Sequence, residues 1–185
     1  MLKSSSPFRA KVSRLLADVW RPTDWFQLSQ KVEDHYYRKA CIFADYRPRR
    51  VIEIGTRCGY SLAVFNAAFD HSRYLVIDGA MDADSLECLT HWQLVVSSQA
   101  IDADLIVVDS HALRSLPPAD FAHVDGDHSH AGALADLRLV DQCPVILADD
   151  CDNPEVRRAV DDFVAERGRR VDFFDDGLRQ GALIQ

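Results

Sequence analysis

Apolar positions along the chain change period near residue 50. Before it they recur at helical spacing: Val12, Leu15, Leu16, Val19 and Trp20 share one face, after a Ser6-Pro7 pair able to cap and open a helix. A second helix is expected over about 29–46, with Arg21-Pro22-Thr23-Asp24 as the turn between the two. From Arg50 onward, short β-rich runs alternate with helical stretches, the pattern of βαβ units and a mostly parallel sheet. The expected strands are 51–54, 74–77, 105–108, 121–124 and 145–148, followed after a helix by 170–174 and 182–184 across the hairpin-like turn Asp175-Asp176-Gly177. The fold class is therefore α/β, a doubly wound sheet of seven strands with helices ahead of it.

Composition narrows the setting. A chain of 185 residues that is 48% hydrophobic and 27% charged has the size and balance of one globular domain. Residues 1–48 are expected to form a helical segment of that domain, serving as lid or dimer contact through aromatics such as Trp20, Trp25 and Phe26, and 49–185 the part that carries the chemistry. The net charge of −8 disfavours nucleic acid and anionic lipid and favours a small molecule. The basic runs at 47–50 and 167–170 abut expected strands and read as solvated boundaries. Five cysteines without a C-x-x-C pair suggest neither a disulfide framework nor a zinc knuckle, and no apolar run reaches the length of a membrane span, so a reducing cytoplasm is the expected location. A homo-oligomer stays open.

The chemistry starts in the loop after the first expected strand, Glu53-Ile54-Gly55-Thr56-Arg57-Cys58-Gly59-Tyr60-Ser61. In a doubly wound sheet ligands collect beyond the carboxyl ends of the strands. Gly55 and Gly59 sit there where the backbone must turn sharply, and the following helix offers unpaired N–H groups. The spacing is not G-x-G-x-x-G. A carboxylate at Glu53 would repel a pyrophosphate and attract an ammonium, while helix N–H groups receive a carboxylate. Asp78 closes the second strand, where an acidic side chain can accept from both hydroxyls of a ribose.

A second cluster ends two later strands: His123-Val124-Asp125-Gly126-Asp127-His128-Ser129-His130 and the pair Asp149-Asp150. If those strands are neighbours, Asp125, Asp149 and Asp150 meet at one rim, and a hard divalent cation would relieve their repulsion. Magnesium is the default, with manganese or calcium compatible. Zinc on His123, His128 and His130 lacks the cysteine pair or H-E-x-x-H helix that would complete a site. Ser61 and Cys58 have no sequence context as nucleophiles.

The motif E-x-G-x-x-x-G resembles the first motif of class I S-adenosylmethionine-dependent methyltransferases. The stretch from Phe121 to Val164, with V-D-G-D-H-S-H, the acidic pair and the helix opening Asn153-Pro154-Glu155-Val156, resembles the metal-dependent small-molecule O-methyltransferases of secondary metabolism, the sugar-modifying enzymes of macrolide and aminocoumarin pathways. The resemblance covers about 50–164. It implies an inserted antiparallel last strand and S-adenosylmethionine as cofactor on Glu53, Gly55, Thr56, Gly59, Tyr60, Ser61, Asp78 and Asp125, with Asp109 and Ser110 near the adenine. It further implies a metal, Mg2+ by default, on Asp125, Asp149 and Asp150, with Asp127 as an additional candidate, and His128 as the base that takes a proton from a hydroxyl.

Plain structural roles stand beside these: Asp127 can brace its loop, Ser129 can cap the helix over 131–139, His130 can be solvated, and Asn153 can cap with Pro154 at the first helical position. The chain departs from the family in having Gln142-Cys143-Pro144 where a glycine turn is usual, and in lacking long insertions to shape a substrate pocket. The expected activity is methyl transfer to a hydroxyl of a small molecule. Its alternatives are a metal-independent methyltransferase and a noncatalytic cofactor-binding module.

Overall fold

The computed structural model describes residues 6–21, 27–79 and 83–185. Two helices, α1 (Ser6–Val19) and α2 (Gln30–Tyr46), precede β1 (Arg50–Ile54), α3 (Tyr60–Ala68), β2 (Arg73–Asp78), α4 (Ala83–Ser98) and β3 (Ala103–Val107). Then come β4 (Phe121–Val124), α5 (His130–Leu139), β5 (Ile146–Ala148), α6 (Pro154–Arg167), β6 (Val171–Asp175) and β7 (Gln180–Ile184). Pro22, Thr23, Asp24, Trp25 and Phe26, which hold most of the expected turn and two of the lid aromatics, lie outside the described residues.

All seven strands form one sheet in the order β3-β2-β1-β4-β5-β7-β6. β1 to β5 pair in parallel, and β7 inserts antiparallel between β5 and β6. This is the class I methyltransferase topology. The strand order reverses between β1 and β4, which places the ligand crevice at their carboxyl ends.

The central strands were legible because burial on both faces makes them nearly continuous apolar runs. The edge strand β3 starts earlier than expected, at Ala103, because its backbone pairs Ala103 with Tyr74 and Asp104 with Leu75 whatever its side chains prefer. Side chains alternate between two cores. Val51, Tyr74, Val76, Phe121 and Leu147 face α1, α2 and α3, where Phe43 stacks on Phe65 at 4.6 Å. Ile52, Ile54, Ile77, Val124 and Ala148 face α5 and α6. Each such large apolar side chain, fully buried, contributes about 1.5–3 kcal/mol.

Helix starts follow the expected caps. Ser29 accepts from Val32 N, Ser129 from Gly132 N, and Asn153 from Glu155 N with Pro154 opening α6. Among the described residues, no helix is long and apolar enough to cross a membrane.

Candidate active site

The glycine loop fills the gap between β1 and α3. Gly55 and Gly59 both adopt left-handed conformations, with φ of 78° and 81°. Two carboxylates clip the loop in place. Asp78 Oδ2 accepts from the backbone N–H of Thr56 at 2.9 Å and of Arg57 at 3.0 Å, and Glu53 Oε2 accepts from Thr56 Oγ1 at 2.8 Å. Gly59 caps α3 without a side-chain hydrogen bond, and the start of a helix is a favourable place for an anionic group.

A cavity of about 780 Å³ opens over this loop. Gly55, Thr56, Tyr60 and Ser61 line it from the loop, Asp78, Asp109 and Ser110 from the ends of β2 and β3, and Asp125, His128, Asp149 and Asp150 from the ends of β4 and β5. Glu53 and Gly59 are not in its lining. Glu53 is buried beneath the loop, paired with Thr56 and, at 3.0 Å, with His123 Nδ1. Strand alternation explains this: Glu53 lies opposite His123 in the β1–β4 register, and both point toward the α2–α3 side of the sheet. The Asp109 carboxylate accepts from His111 N at 2.9 Å, and the Ser110 hydroxyl donates to Asp136 at 2.6 Å. Asp127 accepts from Ser129 N at 2.7 Å, which is the bracing role.

The three aspartates at the strand ends do not present their carboxylates to one point. Two groups of potential ligand atoms lie within 4.8 Å of one another, His123 with Asp125 and Asp149, and Asp125 with His128 and Asp150. Consecutive residues leaving a strand point to opposite faces, so Asp149 turns inward toward α2 while Asp150, held at φ 53°, turns outward.

Asp149 is already neutralised. It forms a salt bridge with the ammonium of Lys39, and His35 Nε2 lies 3.3 Å from its Oδ2. Lys39 also donates to Ser61 Oγ at 3.2 Å and stands 3.8 Å from Asp125 Oδ2. Burial pushes the Lys39 pKa down, but Asp149, Asp125 and Glu53 outweigh it and raise the pKa overall. Burial opposes ionisation of Asp149, yet Lys39 and His35 hold its carboxyl well below the usual range. His35 Nδ1 meets Asp176 at 2.7 Å. Burial and Lys39 push its pKa down, and hydrogen bonds to the two carboxylates raise it above 6.5 overall.

Asp150 pairs with Arg179 at 3.1 Å and with His128 Nε2 at 3.1 Å. Burial, reinforced by the charges of Asp125 and Asp149, pushes its carboxyl up to about 6. His128 is half-exposed, 3.7 Å from Asp125, and the interaction with that carboxylate raises it above 6.5 against the opposing effect of burial. The carboxylates Asp125, Asp149, Asp150 and Asp176 are thus matched by Lys39, His35, His128 and Arg179. This arrangement does not fit a divalent cation shared by three aspartates. The histidines of the zinc alternative are dispersed as well: His123 is buried against Glu53, and His130 pairs with Asp162 on α6 at 2.8 Å.

Sequence reasoning did not single out His35, Lys39, Asp176 or Arg179. For two of them a signal existed. His35 and Lys39 stand four apart on the same stripe of α2 as Val32 and Phe43, so charged side chains interrupt an otherwise apolar face.

A family model described as a methyltransferase domain matches residues 52–151, from β1 through the acidic pair after β5. The chain belongs to this methyltransferase family. It is an S-adenosylmethionine-dependent enzyme of class I. Solved structures share the fold at low identity. The methyltransferase PaMTH1 of Podospora anserina, bound to S-adenosylhomocysteine, is 15% identical with a TM-score of 0.67, over 100% of this chain and 97% of the other. The O-methyltransferase of Bacillus cereus with the same ligand is 16% identical, TM-score 0.63, over 100% and 91%. TomG from Streptomyces achromogenes, an O-methyltransferase of tomaymycin synthesis in complex with S-adenosylmethionine, is 14% identical, TM-score 0.60, over 100% and 91%. No curated protein sequence matches the methyltransferase.

Proposed function

We propose that the chain transfers a methyl group from S-adenosylmethionine to a hydroxyl of a small molecule, with His128 as general base. The observation that carries this reading is a single cavity lined by the glycine loop and Asp78 on one side and by His128, Asp125 and Asp150 on the other. A methyl donor and an imidazole that can take a proton thereby share one crevice.

The loop residues divide the cofactor between them. The N-terminal end of α3 receives the methionine carboxylate, and Gly55 and Gly59 let the chain turn close to it. Asp125, on the cavity wall, takes the ammonium, and Asp78 the ribose hydroxyls. Asp109 and Ser110 border the adenine. Glu53 works from beneath, fixing Thr56 and hence the loop.

The cofactor supplies an electrophilic methyl on a positively charged sulfur. His128, neutral at the moment of reaction, accepts the acceptor's hydroxyl proton on the ring nitrogen not turned to Asp150, and the freed oxygen takes the methyl, leaving S-adenosylhomocysteine. Residues 1–48 and 49–185 work as one domain in this reading, since α1 and α2 share a core with β1 and α3 and α2 sends His35 and Lys39 to the cavity. The acceptor is small, a sugar or polyphenol-like alcohol, because a chain of net charge −8 with an acidic crevice repels phosphate backbones. The mechanism is written without a divalent cation, because the buried Asp149 carboxylate is already paired with Lys39 and His35.

The test is incubation with methyl-labelled S-adenosylmethionine and a panel of hydroxylated small molecules, followed by NMR of the product. An O-methyl group formed in equal amount with S-adenosylhomocysteine is the expected result. Absence of thermal stabilisation by S-adenosylmethionine or S-adenosylhomocysteine at millimolar concentration would undo the reading at its first step.

A further inference from the structure

We infer that the ammonium of Lys39 is the resident cation of the strand-end carboxylates, taking the place of a divalent metal. The argument begins with where Lys39 points. It lies on the buried stripe of α2, only 2% exposed, and its stem cannot withdraw to solvent. Its three donor positions all face groups of the site: Ser61 Oγ at the start of α3, the Asp149 carboxylate, and Asp125 Oδ2. One side chain thus joins the cofactor-loop helix to the ends of β4 and β5.

A metal ion between Asp125 and Asp149 would sit beside this ammonium and repel it in a region of low dielectric. Asp149 is closed from a second direction by His35, whose ring is held between Asp149 and Asp176. The remaining carboxylate, Asp150, lies with His128 on the other side of Asp125 and is paired with Arg179 and His128. The buried charges of the site are therefore paired as the chain folds, and removal of one partner would leave an uncompensated carboxylate. The inference rests on the reading of these aspartates as the rim of the acceptor site, but its test needs neither an acceptor nor turnover.

The test is a titration of Mn2+ followed by its electron paramagnetic resonance signal, with S-adenosylhomocysteine present. The wild-type protein is expected to leave the signal of free Mn2+ undiminished. Lys39→Ala is expected to bind Mn2+ at least about tenfold more tightly than wild type, since it removes a positive charge from beside two carboxylates. The double variant Lys39→Ala/Asp149→Asn is expected to lose that gain. Stoichiometric Mn2+ uptake by the wild type that disappears in Asp125→Asn overturns the inference, as does a folded Lys39→Ala protein that gains no binding. If Lys39→Ala fails to fold, the wild-type titration decides by itself. Failure to find any acceptor would count against the proposed O-methyl transfer and leave the Mn2+ result standing.

Discussion

Gly55 and Asp125 meet backbone to backbone: a β-carbon on Gly55 would lie 2.0 Å from the Asp125 carbonyl oxygen and 2.5 Å from its carbonyl carbon. The contact joins the cofactor loop to the end of β4, and Gly55 holds φ 78° to make it. Neither obstacle is a flexible side chain that could swing aside. Gly55→Ala is expected to cost about 3 kcal/mol or more, combining left-handed strain with a backbone clash. Thermal denaturation should show a midpoint lower by roughly 6–12 °C. Calorimetry on the folded fraction should show weakened S-adenosylhomocysteine binding.

Asp78 supports the same loop from β2. Its Oδ2 receives the N–H groups of Thr56 and Arg57, so the carboxylate orders the loop before any ligand arrives. Asp78→Ala is expected to lower S-adenosylhomocysteine affinity by about tenfold or more, since each charge-assisted hydrogen bond contributes about 1.5–3 kcal/mol. Isothermal titration would check this. An unchanged affinity would remove Asp78 from both loop ordering and ribose recognition.

His128 can serve as a base only when neutral. Its pKa is raised above 6.5, by the neighbouring Asp125 carboxylate most of all, so the neutral form gains on the imidazolium only as pH climbs past that raised value. Methyl transfer should therefore rise with pH along a limb lying above 6.5. His128→Ala should retain cofactor binding, lose about 10²–10⁴ in kcat and lack that limb. A pH–rate profile on both proteins checks the assignment. An identical profile in the variant would exclude His128.

The fold was legible to within a few residues because burial imposes recognisable patterns. β1 and β4 are apolar runs with both faces covered, and Ser129 and Asn153-Pro154 announce α5 and α6. The edge strand β3 was read late because backbone pairing with β2, not hydropathy, sets its start. At the site, local meaning was legible where it depended on nearby residues, as in the glycine loop and the strand-end acids. It was not legible where the sheet's alternation and remote packing decide. Asp149 and Asp150 are adjacent in sequence but leave β5 on opposite faces. The partner of Asp149 is Lys39, brought from the far N-terminal side by packing of α2 against α3. Glu53 illustrates the same limit, since its distance from Gly55 suggested a ligand contact whereas its position in the strand buries it against His123.

Asp150 carries the clearest penalty in the site. It holds a left-handed conformation at φ 53°, and burial with the neighbouring charges of Asp125 and Asp149 raises its carboxyl from 3.8 to about 6. A raised carboxyl means that the folded state binds more protons than the unfolded state between those two values. Stability therefore falls as pH rises from about 4 toward 6. Above that window the full cost of ionising Asp150 in the folded state remains, and Arg179 and His128 only partly offset it. Asn keeps the shape and tolerates left-handed backbone better than most residues. Asp150→Asn is thus expected to stabilise the protein by about 1–2 kcal/mol at pH 8, after discounting for solvent screening, and by little at pH 4. Urea denaturation at the two pH values checks this. A variant less stable than wild type at pH 8 would mean that the pairs with Arg179 and His128 outweigh the burial of the charge.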